Sequence, residues 1–125
     1  MPALEAVMTT KEIANRMSEL FKENKWTEIQ DELFSQDAKS IEPAHAQGMQ
    51  TVEGLDAIKK KGEMFNAMVE EMHSGWVGEP IVGGNYIAVS MGMDVTMKGS
   101  GRMNMDEICL YEVKDGKIVR EEFFY

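Results

Sequence analysis

The stretch that most constrains this 125-residue chain is its last twenty-four residues, RMNMDEICLYEVKDGKIVREEFFY, from Arg102 to Tyr125. Asp115-Gly116 stands between two runs rich in Ile, Val, Leu, Phe and Tyr. Glycine supplies the positive φ that a tight turn needs, so the stretch reads as a β-hairpin. Two registers are open. A two-residue turn pairs Lys114 with Lys117, whereas a three-residue loop bulged at Gly116 pairs Val113 with Lys117. A slip of one residue turns one strand over relative to the other, so the register decides which side chains share a face. The bulged register is adopted provisionally. It puts Met103, Met105, Glu107, Cys109 and Tyr111 on one face with Val119, Glu121, Phe123 and Tyr125, a face apolar except for two carboxylates.

A chain of this length makes one domain, residues 1–125, with a sizeable core. A net charge of −9 argues against a phosphate-binding surface, so no nucleic-acid partner is expected. The one basic cluster, Lys59-Lys60-Lys61, reads as a solvated helix face. A single cysteine excludes an internal disulfide framework and fits a reducing compartment. The opening MPALEAVMTTKEI has no apolar run behind basic residues and does not read as a signal peptide. No segment has the roughly 20 apolar residues of a membrane span. A cytoplasmic protein is expected.

Taken in order, the chain opens with a helix capped at Thr9 or Thr10, with Glu12 completing a capping box. Ile13, Met17, Leu20 and Phe21 recur at helical spacing, and Asn24 is the stop signal. A short helix from Thr27 buries Ile29, Leu33 and Phe34, with Trp26 as a hydrophobic staple. A brief strand, Ala38 to Glu42, ends at Pro43, and residues 43–53 have loop composition. Gly54 to Met72 reads as a long helix whose stripe is Leu55, Ile58, Gly62, Phe65, Val69 and Met72. Strands follow over His73–Val82, Tyr86–Met97, Arg102–Val113 and Lys117–Tyr125. Tyr86–Met97 alternates most clearly: Ile87, Val89, Met91, Met93, Val95 and Met97 point one way, Ala88, Ser90, Gly92, Asp94 and Thr96 the other.

This order predicts an α+β fold, a curved and mostly antiparallel sheet packed on a long helix and two N-terminal helices. It resembles the nuclear transport factor 2-like (cystatin-like) superfamily and, within it, SnoaL-like domains. The resemblance rests on Ile41-Glu42-Pro43, on Gly54-Leu55-Asp56-Ala57-Ile58 opening the long helix, and on Lys114-Asp115-Gly116-Lys117-Ile118. It implies a cone-shaped barrel with an enclosed pocket between sheet and long helix, and a homodimer through the sheet. In the ketosteroid isomerase branch the catalytic aspartate precedes a proline, the place of Glu42 here. The oxyanion-hole tyrosine falls on Met17, which donates no hydrogen bond. The oxyanion-hole aspartic acid falls on or near Cys109, with Glu107 one pleat away. Half the apparatus matches, so steroid isomerisation is not implied. SnoaL itself resembles an acid–base aldol cyclase whose acidic and imidazole groups line the pocket, and the likeness assigns neither His45 nor His73 to its histidine.

Independently of that likeness, Glu42, Glu107 and Glu121 converge on an apolar face. Burial and like charges raise a carboxyl pKa and suit it to general acid–base work on a small hydrophobic molecule. The expected wall comprises Met17, Met64, Phe65 and Met68 from the helices and Met91 and Met93 from the alternating strand. The hairpin adds Met105, Cys109, Tyr111 and Phe123. The plainer reading sends these glutamates to solvent or pairs them with Arg16 or Lys22. Arg102 and Arg120 have the opposite parity and are not their partners. Tyr111 and Tyr125 are possible hydrogen-bond donors. His45 and His73 lack ligand spacing, so no metal is expected, and there is no phosphate loop or dinucleotide fingerprint to call for a cofactor. A non-catalytic binding or dimerisation module is the alternative to an isomerase, cyclase or hydratase.

Overall fold

The computed structural model describes residues 7–125. Residues 1–6, part of the opening stretch that does not read as a signal peptide, lie outside the described residues. Three helices, α1 (Thr10–Lys22), α2 (Trp26–Leu33) and α3 (Leu55–Met68), accompany seven strands. These are β1 (Phe34–Ile41), β2 (Val52–Glu53), β3 (Val69–Val77), β4 (Ile81–Gly83), β5 (Tyr86–Met97), β6 (Gly101–Lys114) and β7 (Lys117–Phe124). The strands form one curved, unclosed sheet in the order β2-β1-β7-β6-β5-β3, with β4 also paired to β5. All pairings are antiparallel except β1 with β7. The expected α+β architecture is therefore present.

Local chemistry sets the helix ends. The Glu12 backbone N–H donates to Thr9 Oγ1 at 3.1 Å, and the Thr9 N–H donates to Glu12 Oε1 at 2.9 Å, which completes the capping box. Helix α1 stops where Asn24 takes a left-handed φ of 58°. The Lys25 N–H then reaches Leu20 O and the Asn24 N–H reaches Phe21 O, the paired bonds of a Schellman motif. Arg16 forks onto both oxygens of Glu32 at 2.7 and 2.8 Å, tying α1 to α2. The core lies between these helices and one sheet face, with Ile13, Met17, Leu20, Leu33, Ile87, Val89, Cys109 and Ile118 almost wholly buried.

Four expectations need correction. The hairpin turn is the tight one: Asp115 and Gly116 have φ of 51° and 75°, and Lys114 pairs with Lys117. The irregularity falls further on, between Val113↔Ile118 and Glu112↔Arg120, leaving Val119 as the extra residue. Beyond it Tyr111 faces Glu121 and Cys109 faces Phe123. The bulge thus restores the parity that the three-residue loop was meant to supply, with every pair displaced by two residues, and Ile118 rather than Val119 is buried.

Helix α3 ends at Met68, not Met72. Val69 and Met72 belong to β3, which pairs along β5 from Val69↔Met97 to Val77↔Met91. Without it β5 would be unpaired on that side from Met91 to Met97. The first strand begins at Phe34 rather than Ala38, because its backbone pairs with β7 from Phe34↔Ile118 onward. Trp26 is no staple. It opens α2, is 44% exposed, packs edge-on against Phe21, and donates its indole N–H to Asn24.

Candidate functional site

The floor of the site is the parallel β1–β7 pairing, which sets Ser40 beside Glu121. Glu121 is therefore brought inward at the sheet's centre, where it is 7% exposed. One residue beyond β1 lies Glu42, whose backbone N–H donates to Thr51 Oγ1 at 3.0 Å. Its side chain is 6% exposed. From the helix above comes Lys61, 9% exposed. Its ammonium donates to Ser40 Oγ at 2.6 Å and to Glu42 Oε2 at 2.8 Å, and stands 5.3 Å from the centre of the Phe123 ring. The other Glu42 oxygen, Oε1, accepts the Tyr125 hydroxyl at 2.7 Å. The Tyr125 ring meets His45 edge-on, centroids 5.8 Å apart.

Glu107 completes the group from β6, across from Met91 of β5. It is half-buried, and no side chain among the described residues hydrogen-bonds its carboxyl. Burial, then the charges of Glu42 and Glu121, push its pKa up to about 7, while Lys61 pulls the other way. Glu121 is also pushed up to about 7, chiefly by burial, against the Ser40 hydroxyl and the Lys61 ammonium. The Tyr125 phenol is raised by desolvation and by its bond to Glu42. Burial likewise raises Cys109 and Tyr111, which fits a small apolar group and a core aromatic. The arrangement therefore holds two carboxyls able to gain or lose a proton near neutral pH. Only Glu107 of the two reaches solvent appreciably.

The structure brings the three predicted carboxyls together but divides the predicted wall. Met17, Met91, Cys109 and Tyr111 belong to the packed core. Met64 is 64% exposed and turns away to solvent. Phe65, Met68, Met93 and Met105 are half-buried, and Phe123, also half-buried, packs against the core. Arg16 and Lys22 are spent elsewhere, on Glu19 and Glu32 and on Glu79. Arg102 pairs with Asp94 and Arg120 with Glu122, as their parity requires. His73 meets Thr96 Oγ1 at 2.8 Å. Among the described residues no three His, Cys, Asp or Glu side chains are arranged so that they could hold a metal ion.

Lys61 and Ser40 were not identified as site residues from the sequence, and the reading of Lys61 as solvated is overturned. Lys61 follows Ile58 by three residues and precedes Phe65 by four, so it lies in the apolar stripe of α3, whereas Gly62 is exposed. That a lysine interrupts an inward stripe was the available signal. Two concavities of the structure lie away from this chemistry. A groove of about 600 Å³ runs between α1 and β4 beside Lys11, Asn15, Lys22 and Glu79, and one of about 270 Å³ lies by Tyr86, Leu110 and Arg120. Neither is lined by Glu42, Glu107 or Glu121, so shape and chemistry point to different places. The chemistry is the better guide to a reactive site.

A curved, mostly antiparallel sheet packed against helices on one side is the fold of solved nuclear transport factor 2-like proteins. Within that class the chain belongs to the SnoaL-like domain family, whose model matches residues 8–125. A Mesorhizobium loti protein described as a SnoaL-like polyketide cyclase, with carbohydrate phosphatase in brackets, is 35% identical. The alignment covers 94% of this chain and all of that one, with a TM-score of 0.86. A SnoaL-like polyketide cyclase-type protein of Jannaschia is 18% identical over 98% of this chain and 90% of its own, TM-score 0.67. A Catenulispora acidiphila protein with a ketosteroid isomerase-like fold, in complex with trimethylamine, is 18% identical over 94% and 87%, TM-score 0.68. The latter two likenesses concern the fold alone. No curated protein matches this chain. No described helix is long and apolar enough to cross a membrane.

Proposed function

We propose that this protein binds a small, largely apolar molecule on the concave face and moves a proton on it by general acid–base chemistry. The observation that carries this reading is Glu107: a half-buried carboxyl without a side-chain partner among the described residues, raised to about 7. Glu42 has the position expected of a base, but both its oxygens are engaged, by Lys61 and by Tyr125. It therefore anchors the site, and Glu107 exchanges the proton. Glu121, shielded beneath, keeps a second raised carboxyl near it. The half-buried Met93, Met105, Phe65 and Met68 provide a polarizable seat for an apolar body. The trimethylamine complex of the Catenulispora protein supports a small-molecule seat on this fold. Isomerisation, cyclisation and hydration each need such a proton transfer.

The test is hydrogen–deuterium exchange, followed by NMR in D2O, on a panel of apolar enolisable ketones. The wild type is expected to accelerate exchange α to the carbonyl, and Glu107→Gln to lose about 10²–10⁴-fold of that acceleration. Ligand-dependent shifts without any acceleration would favour a binding module instead.

The convex face supports a homodimer as the working assembly. Trp76, Ile108 and Phe124 there are 52%, 51% and 47% exposed. Near its centre the Trp76 indole and the Asp106 carboxylate crowd Gly92, where a Cβ would meet both. Sedimentation showing a monomer at micromolar concentration would remove the dimer.

A further inference from the structure

We propose that Lys61 is a positioning residue of this site: its ammonium, held between Ser40 and Glu42 beneath the Phe123 ring, makes Glu42 the fixed anchor for Tyr125 and leaves Glu107 to meet the ligand. The inference rests on the reading of Glu107 as the proton-exchanging carboxyl and adds what assigns that role. Lys61 is a poor candidate for touching the ligand itself. Its three protons face Ser40 Oγ at 2.6 Å, Glu42 Oε2 at 2.8 Å and the Phe123 ring at 5.3 Å. The same geometry saturates Glu42, whose second oxygen is held by the Tyr125 hydroxyl at 2.7 Å. A run of contacts thus joins three elements, from Ser40 on β1 through Lys61 on α3 to Glu42 and on to Tyr125 beyond β7. Each member is fixed by the next, and Glu107 lies outside the run.

The charged and titratable groups facing Glu107 are Glu42 from the end of β1, Lys61 from α3, Glu121 from β7 and Tyr125 beyond it. On its own strand Cys109 and Tyr111 point the same way, both buried. From β5 it meets uncharged Met91. Lys61 is therefore the sole cation in the group. Removing it leaves a buried Glu42 beside two further carboxyls, and a carboxyl so placed takes up a proton rather than keep its charge. Glu42 acts on Glu107 more strongly than Lys61 does. Once Glu42 is neutral and Lys61 gone, the net effect on Glu107 is to release its proton more readily. The site's labile proton then moves from the exposed carboxyl to the buried one.

The experiment is a ¹³C NMR titration of the glutamate side-chain carboxyls in the ligand-free full chain. Resonances are assigned with Glu42→Gln and Glu107→Gln. In Lys61→Met, Glu42 is expected to read as protonated at pH 7 and the Glu107 midpoint to fall by about one unit or more. Lys61→Arg, which keeps the charge, is expected to restore both values. If Lys61→Met does not fold, the double variant Glu42→Gln/Lys61→Met removes both charges and is expected to give the same fall at Glu107. A Glu107 midpoint that stays in place or rises in the folded variants overturns the proposal. The titration needs no substrate. The proton-exchange assay can therefore fail while the assignment to Lys61 stands, and the reverse.

Discussion

The two ends of the concave sheet face have similar composition but opposite fates. At one end α1 and α2 lie on the sheet, and Ile87, Val89, Cys109 and Ile118 are sealed under Ile13, Met17 and Leu20. At the other end the same strands carry Met93 and Met97 on β5 opposite Met105 and Gly101 on β6, all of them at least partly exposed, and only Val95, opposite Met103, is wholly buried among them. The difference is one of cover. Helix α3 turns into β3 at Met68, so its second half reaches over this end only with Phe65 and Met68, half-buried. The charged group of Glu42, Lys61, Glu107 and Glu121 sits at the boundary. Apolar strand faces with thinner helix cover, beside partly desolvated carboxyls, stay partly open to solvent where the sealed end makes a core.

The sharpest way to break this contrast is to place the same charge at both ends. Val89→Asp buries an unpaired carboxylate at a position with no exposure and is expected to cost about 4 kcal/mol or more, enough to unfold many domains. Met93→Asp, four residues along the same strand face, can hydrate its carboxylate and is expected to cost about 1–2 kcal/mol. Equal losses of melting temperature would show that the two ends are packed alike.

A smaller effect comes from pH. The folded pKa of Glu121, about 7, lies above its ordinary 4.5, so the folded chain holds more protons between those values than the unfolded chain does. Stability from this group is thus full below about pH 4.5, declines as pH rises, and is lost above 7, a change on the order of 2–3 kcal/mol. Glu107 contributes with the same sign, less because it is partly solvated. Glu121→Gln is expected to raise the melting temperature at pH 8 and to leave it nearly unchanged at pH 4.5. A variant that melts lower than the wild type at pH 8 would contradict the raised pKa.

Least is expected of Tyr125→Phe. It removes one hydrogen bond to Glu42 from a ring that is 46% exposed, a loss of about 1 kcal/mol in denaturant unfolding. A loss of several kcal/mol would place Tyr125 in the core rather than at the edge of the site.

What the sequence made legible was local. Thr9 and Glu12 cap one another within a single turn, Asn24 stops the helix it follows, and Ile87 to Met97 alternates along one strand. Each signal is complete within a dozen residues. The position of the Val119 irregularity is not, because β7 must satisfy β6 on one side and the parallel β1 on the other. Val69 and Met72 fit a helical stripe as well as a strand, and only the open edge of β5 decides between them. The convergence of Glu42, Glu107 and Glu121 followed from parity and from the family likeness. Lys61 escaped because a lysine in a run of three lysines reads as solvated until its place beside Ile58 and Phe65 is counted.

The thinly covered end of the sheet has a chemical consequence of its own. Thioether sulfurs within reach of solvent are open to peroxide, whereas Met17, with no exposure, is shielded. Met64 and Met72, 64% and 53% exposed, are expected to become sulfoxides first, followed by Met93 and Met105. Peptide mapping after mild peroxide treatment would refute that order if Met17 were modified early. Each sulfoxide replaces a soft apolar surface with a strong dipole, so oxidation of Met93 or Met105 would turn that end of the sheet polar while leaving the sealed core intact. Under the proposed function, the grip of this face on its ligand would then depend on the oxidant history of the protein, and enzymatic reduction of the sulfoxides would restore it.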